Sequence, residues 1–510
     1  MKKIILAALL ALATGHLAAE VALPDIMADG MVLQRGTPVK IWGTAAAGEK
    51  VSVSIAGASV ETAAGTNGAW MVELPAMDAG GPHEITVKGE NTIVIKDVLV
   101  GEVWLCSGQS NMAHQLKHFA QFPGIKEDLE TADNPRLRFY CKQNSQIWVK
   151  SSREVALATS GVGYYFGRFL EKELDVPVGI IVAAQGGTNI EGWLPREVVD
   201  VSDWGMAMID ARNSEEYRQA KIALDKDRKD WEYKRGMWQM STAVGFEDSG
   251  PYPEPPVVPE IIARNSYGVG GLYDGILKPV APYTIRGFAW YQGEANVGDN
   301  NYKDKQNLLV ETWRDIWGQG DLPFYCVQIT AGGYKKDITI VPEFWEQQFE
   351  SAQEMGGGGI VCTIDIGEPT FNIHPPNKPE VGRRLSLLAL AKAYGRDDVV
   401  WSGPTYKDMK VEGDSIRIQF EHADDGLATS DGNAPAWFEI AGADGKFTSA
   451  QATIEDSEVV VRADSVKNPV AARYSWSQAP GYTAGVAGPT GPVPNLVNKA
   501  GLPAYPFRTK

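Results

Sequence analysis

Apolar side chains change their period twice along this chain, and that change limits what it can fold into. From residue 21 to about 100 the pattern is one of short alternating runs, at 39–42, 51–55 and 84–87 among others, broken by Gly, Pro and Asn. Such alternation between turn residues predicts a small β-sandwich. From 101 to about 395 the runs become compact and continuously apolar, at 103–106, 178–182, 287–291, 324–329 and 360–364. Helical stretches accompany them at 164–174, 304–317 and 379–394, the last with Val381, Leu385 and Leu388 on one face. Strands alternating with helices predict a doubly wound α/β domain around a parallel sheet. After Trp401 the alternation returns, at 415–420 and 458–462, so a second β-domain follows.

The expected organisation is therefore a leader at 1–19, a β-sandwich at 20–100, an α/β domain at 101–395 and a β-domain at 396–510. In the leader, Lys2 and Lys3 precede an apolar run at 4–12, and Ala18 and Ala19 stand before Glu20. That arrangement predicts export, to the periplasm or the medium. Within the α/β region, about 205–262 reads as an insertion, with a charged helical stretch at 214–238 and a proline-rich one at 251–259. It is expected to be a solvated surface element, with a lid as the other possibility. Trp42 and Trp70 are expected in the sandwich core rather than as a sugar platform.

With 510 residues, 44% of them hydrophobic, the chain can bury cores for about three domains. No window after the leader reaches the roughly 18 to 20 apolar residues of a membrane helix, so no membrane anchor is expected. A formal net charge of -16 without any run of Lys or Arg argues against nucleic acid and anionic membranes as partners. Of the four cysteines, Cys106, Cys326 and Cys362 lie in apolar strand-like runs and are expected as buried free thiols, and no CxxC pair suggests zinc.

The chemistry gathers at strand ends. The run at 103–106 leads into Ser107-Gly108-Gln109-Ser110-Asn111-Met112 and then a helix expected to begin near Ala113, which puts Ser110 at the carboxyl end of a strand and the amino end of a helix. Ligands of open α/β sheets sit at this edge, and free helix N–H groups there favour an oxyanion. The G-x-S-x-G elbow of α/β-hydrolases is absent. A serine nucleophile needs a base, and the chain has six histidines. His16 falls in the leader, and His83 and His422 in the β-domains. His374 lies in a loop between the last strand and the last helix, which makes it the best-placed base. His114 shares the nucleophile's own helix and would point poorly. Two glycine loops converge on the same edge, at 184–188 and 291–296, and Gly187 with the Gln292 or Asn296 amide could join the Ser110 N–H as oxyanion donors.

Four blocks, WLCSGQSNM at 104–112, QGGTNIEGW at 185–193, RGFAWYQGEAN at 286–296 and IHPPNKPEVGRRL at 373–385, resemble the sialate O-acetylesterase family of the SGNH/GDSL hydrolases. The likeness runs in order from Leu23 onward and includes a β-domain on each side. It implies an SGNH-type fold and removal of O-acetyl groups from carbohydrate, without metal or cofactor. It also implies Ser110 as nucleophile, His374 as base, and Gly187 with Gln292 or Asn296 as oxyanion donors. Gln109, Trp193 and Glu294, within the blocks, are candidate sugar contacts. Acetylated xylan fragments, other polysaccharides and O-acetylated sialic acid are all admitted as substrates.

One departure stands out. Bacterial relatives commonly carry Asp-Ile-His-Pro, whereas this chain reads Asn372-Ile373-His374-Pro375. Asparagine removes the charge that would orient the imidazole and stabilise its cation. Glu368 or Asp365 could substitute, or a backbone carbonyl could hold the ring in a Ser–His dyad, or the enzyme could be slow. The rival reading is a non-catalytic carbohydrate-binding protein with a decayed esterase domain; a deacylase for longer acyl chains is a second.

Overall fold

A computed structural model describes residues 20–142, 146–243, 250–259, 261–262, 268–334, 339–367, 372–482 and 489–509. The leader at 1–19 and Glu368 lie outside the described residues.

The amino-terminal β-region forms two facing sheets. One pairs Val39–Thr44 with Ala69–Leu74, and the other joins Ala58–Ala63, Lys50–Ile55 and Gly80–Lys88 to the strand Thr92–Gly108. Their alternation is the expected one: Val51, Val53 and Ile55 point inward while Ser52 and Ser54 are half-buried. Trp70 is core, and Trp42 packs edge-on against Tyr283 with ring centroids 6.3 Å apart.

Thr92–Gly108 is a single strand of 17 residues. Its first part alternates as a sandwich strand does, and from Val98 it is buried without interruption because it enters the middle of the central sheet. The boundary expected at 100/101 therefore falls inside one continuous strand, and residues of both regions share one hydrophobic core. At the joint, the buried Glu102 carboxylate accepts from Arg35 Nε at 2.6 Å, Arg286 Nε at 2.9 Å and Gln34 Nε2 at 2.8 Å.

The central sheet has the order Gly358–Val361, Phe324–Val327, Gly287–Tyr291, Thr92–Gly108, Val178–Ala184, Asn134–Cys141, Trp148–Ser151. All are parallel except Trp148–Ser151 at the edge. Its strands are buried on both faces, as the continuous apolar runs require. The helices Gly161–Leu174 and Lys378–Lys392 pack on one face, and Tyr302–Trp317 and Ile340–Glu354 on the other. From Thr92–Gly108 the chain moves first to one side and later to the other, so the strand order switches there. A crevice opens at such a point outside the carboxyl ends of the strands.

The insertion forms the helices Asp203–Asn213 and Glu215–Ala243. Among the described side chains of the second, Leu224 alone is buried, which agrees with a solvated element. The carboxyl-terminal β-domain packs two four-stranded antiparallel sheets over Ile416, Ile418, Val459, Val461, Ile440 and Tyr474. Cys106, Cys326 and Cys362 are buried free thiols, as expected, and Cys141 is half-buried. Among the described residues no helix is long and apolar enough to cross a membrane.

Candidate active site

The strand Thr92–Gly108 ends in a glycine with φ +133°, where a Cβ would lie 2.2 Å from the Tyr291 carbonyl oxygen of the neighbouring strand. Only glycine permits this approach, and it turns the chain so that Ser110 opens a four-residue helix, Ser110–Ala113. At the opposite side of the crevice, Asn377 caps the helix Lys378–Lys392 by accepting from the Glu380 N–H at 3.2 Å. The loop before that cap carries His374. Ser110 Oγ and His374 Nε2 are 2.9 Å apart, so a neutral imidazole with Nε2 unprotonated accepts the serine hydroxyl. Burial, and then the nearby Lys378 charge, lower the His374 pKa from its ordinary value, which keeps the ring neutral near pH 7. His114 lies with its ring centroid 4.5 Å from that of His374, and burial together with its charged neighbours lowers its pKa to about 4.

The loop after Val178–Ala184 closes on the nucleophile. A Cβ at Gly186 would lie 3.6 Å from the Ser110 Cβ, and Gly187, with φ +69°, stands in open space. Among the described residues, the N–H groups of Ser110 and Gly187 have no acceptor.

A family model described as carbohydrate esterase, sialic acid-specific acetylesterase, matches residues 100–223. The sialate O-acetylesterase of Mus musculus is 28% identical over 429 residues, covering 75% of each chain. That of Pongo abelii is 25% identical over 507 residues, covering 88% of this chain and 86% of the relative. The crystal structure of a carbohydrate acetylesterase from Xanthomonas citri superimposes with a TM-score of 0.77 at 29% identity, over 96% of this chain and 99% of that one. The chain is thus similar to sialate O-acetylesterases and to a carbohydrate acetylesterase over most of its length. It is a carboxylic ester hydrolase, a carbohydrate O-acetylesterase, and the reading as a non-catalytic binding protein gives way.

Several residues expected to act in this esterase are occupied otherwise. Gln292 Nε2 is spent on Gln109 Oε1 at 3.2 Å, Thr188 O at 3.1 Å and Asn296 Oδ1 at 2.8 Å. Asn296 Nδ2 is spent on Glu191 at 3.2 Å and Asp299 at 3.4 Å. Neither amide has a hydrogen left for an oxyanion, which corrects both assignments. Asp365 is not the partner of His374, because both its oxygens bind the Arg384 guanidinium, at 2.7 and 2.6 Å. Asn372 Oδ1 accepts from the backbone N–H of His374 at 3.0 Å, so it shapes the loop and does not hold the ring.

The three expected sugar contacts are also internal. Gln109 Oε1 accepts from Gly293 N at 3.3 Å and Ala295 N at 3.2 Å as well as from Gln292, and so ties one glycine loop to the next. Trp193 is fully buried, edge-on to the equally buried Trp290 at 5.9 Å. Glu294 is buried and accepts from Asn111 Nδ2.

What the sequence reading did not single out lies beneath these loops. Lys305 Nζ sits 2.6 Å from both Glu191 and Asp299, and this triad, with Lys305 and Glu191 buried and Asp299 half-buried, fixes the loop bearing Asn296. Asn111 and Lys378 stand inside the recognised blocks, which was the available signal, but their partners are remote in sequence. Among the described residues no cluster of three or more His, Cys, Asp or Glu could hold a metal ion.

Proposed function

We propose that this esterase removes acetyl groups by way of an acyl-enzyme on Ser110, in an SGNH-type hydrolase domain. The observation that carries this is the 2.9 Å contact between Ser110 Oγ and His374 Nε2 at the switch point of the sheet. Ser110 Oγ attacks the acetyl carbonyl carbon while His374 Nε2 takes its proton. The tetrahedral oxyanion then collapses, the sugar oxygen leaves with the proton from His374, and the acetyl group stays on Ser110. A water deprotonated by His374 attacks that ester, and acetate departs as Oγ regains its proton.

The N–H groups of Ser110 and Gly187 are the oxyanion donors in this reading. Each such donor contributes about 10²–10³ in rate. In this reading the pair works as a dyad, as no carboxylate among the described residues bonds His374 Nδ1. The net charge of -16 favours neutral acetylated glycans, such as xylan fragments, over anionic O-acetylated sialic acid. The lysine-led leader supports action after export.

The test is acetate release from acetylated xylan oligomers and from O-acetylated sialic acid, by wild type and Ser110→Ala. Release from xylan oligomers that disappears in the variant is the expected result. Full release by Ser110→Ala would sink the nucleophile assignment, and release from sialic acid alone would reverse the substrate preference.

A further inference from the structure

Beneath the Ser110–His374 pair, polar groups from three blocks meet at one amide. Asn111 follows Ser110 in the chain and is wholly buried. Its Oδ1 accepts from Lys378 Nζ at 2.6 Å, and its Nδ2 donates to the Ile373 carbonyl at 2.8 Å and to Glu294 Oε1. Ile373 immediately precedes His374. Lys378 is fully buried at the start of the next helix, its Nζ 5.0 Å from the ring of Phe119 and 5.6 Å from that of Tyr291. Glu294 Oε2 is buried and has no hydrogen-bond partner among the described residues.

An amide with its oxygen and both hydrogens engaged cannot turn without losing those bonds. Asn111 therefore holds the nucleophile's helix and the backbone of the base's loop in one frame. Nothing in acyl transfer by Ser110 and His374 itself calls for a buried lysine and a buried carboxylate, and desolvating such charges is costly. Their arrangement makes sense as support for an imidazole that no carboxylate among the described residues bonds.

We propose that Lys378, Asn111 and Glu294 form a positioning relay for His374, in which Asn111 sets the separation of nucleophile and base and the opposed charges of Lys378 and Glu294 set the potential at the ring. This rests on the reading of Ser110 and His374 as nucleophile and base. Among the described residues, the titratable groups facing His374 are Lys378, on the helix after its own loop, and His114, on the nucleophile's helix. Behind them stand His118, 5.7 Å from His114, and Glu294, through Asn111. The positive charge of Lys378 disfavours the imidazolium. Burial raises the Glu294 pKa, against the pull of the Asn111 hydrogen bond and the Lys378 charge, and in its ionised form its charge opposes that of Lys378. Removing the lysine charge should raise the pH at which His374 titrates, and removing the carboxylate charge should lower it.

The experiment compares full-length Asn111→Ala, Lys378→Met, Lys378→Arg and Glu294→Gln for kcat, KM and the acid limb of kcat/KM. Melting curves check folding, and NMR titration of the His374 ring in a Ser110→Ala background reports on variants with little turnover. Asn111→Ala is expected to lose on the order of 100-fold in kcat with KM nearly unchanged, as misplacement by about 1 Å does. The acid limb and the ring titration should move up in Lys378→Met, down in Glu294→Gln, and stay near wild type in Lys378→Arg. Titrations that do not move, or that move the same way in Lys378→Met and Glu294→Gln, overturn the relay. Loss of activity in Ser110→Ala alongside unmoved titrations sinks the relay alone, whereas an active Ser110→Ala sinks the dyad beneath it.

Discussion

Three glycines around Ser110 separate what the reaction needs from what the fold needs. At Gly186 an added Cβ would lie 3.6 Å from the Ser110 Cβ and 3.8 Å from its Cα, ordinary van der Waals contact, and the backbone there is not left-handed. Gly186→Ala should fold normally while placing a methyl group against the nucleophile, where the acetyl carbonyl must come. An ester displaced by about 1 Å reacts on the order of 10²-fold more slowly. At Gly187 a Cβ meets nothing within 4 Å, but φ is +69°. Gly187→Ala should therefore cost roughly 1–2 kcal/mol of left-handed strain without a clash. At Gly108 the Cβ would lie 2.2 Å from the Tyr291 oxygen and 2.6 Å from its carbonyl carbon, both backbone atoms of a paired strand that cannot yield. Gly108→Ala should not reach the native fold. The assay is kcat/KM on a small acetyl ester beside thermal melting for each variant. Gly186→Ala with wild-type kcat/KM would refute approach of the ester across this loop, and with it the Gly187 N–H as an oxyanion donor.

Two other substitutions probe the base and the domain joint. Asn372→Asp keeps the 3.0 Å bond to the His374 backbone N–H and adds a charge that favours the imidazolium. The acid limb of kcat/KM should move to higher pH, with a gain in kcat below about tenfold; a gain near the ~10⁴ attached to tautomer selection would show that Asn372 orients the ring after all. Burial raises the Glu102 pKa, but Arg286, Gln34 and Arg35 outweigh it and hold the carboxyl below its ordinary value. Its contribution to stability is therefore present above the unfolded pKa of 4.5 and lost as pH falls through the lower folded value. Glu102→Ala should cost about 3 kcal/mol, the low end for a broken buried pair, because the side chains of Arg35 and Arg286 are 30% and 33% exposed and can rehydrate. Unfolding at pH 7 with no loss of stability would contradict this.

Much of the fold was legible because strands buried on both faces must be apolar throughout. The runs at 103–106, 178–182 and 287–291 fall within observed strands. What escaped carries polar residues inside. The helix Ile340–Glu354 buries Gln348 and Ser351 beside Phe344 and Trp345, which dilutes its apolar stripe. The strand Asn134–Cys141 buries Arg138, whose guanidinium donates to the Gly30 carbonyl at 2.8 Å and to Asp97 Oδ1 at 3.0 Å. An arginine in a run reads as solvent-facing until its acceptors, over a hundred residues away in one case, are known. The boundary near residue 100 was misplaced for the same kind of reason: alternation stops there, but the backbone of Thr92–Gly108 does not.

Ser110 and His374 could be singled out because few histidines were available and loops at strand ends were recognisable. Gln292 and Asn296 could not be judged that way. Their amides suit an oxyanion chemically, and only an account of every donor and acceptor shows them spent on Gln109, Thr188, Glu191 and Asp299. Backbone N–H groups, by contrast, are supplied by any residue except proline, so a site that relies on them leaves its mark only in the residues that shape the loop. Here those are Gly108, which turns Ser110 into the crevice, and Gly187, whose φ of +69° turns the facing loop. The side-chain amides then act at one remove, by holding those loops still. Substitution of Gln292 or Asn296 should thus disturb loop geometry and stability together, rather than remove a single contact made only in the transition state.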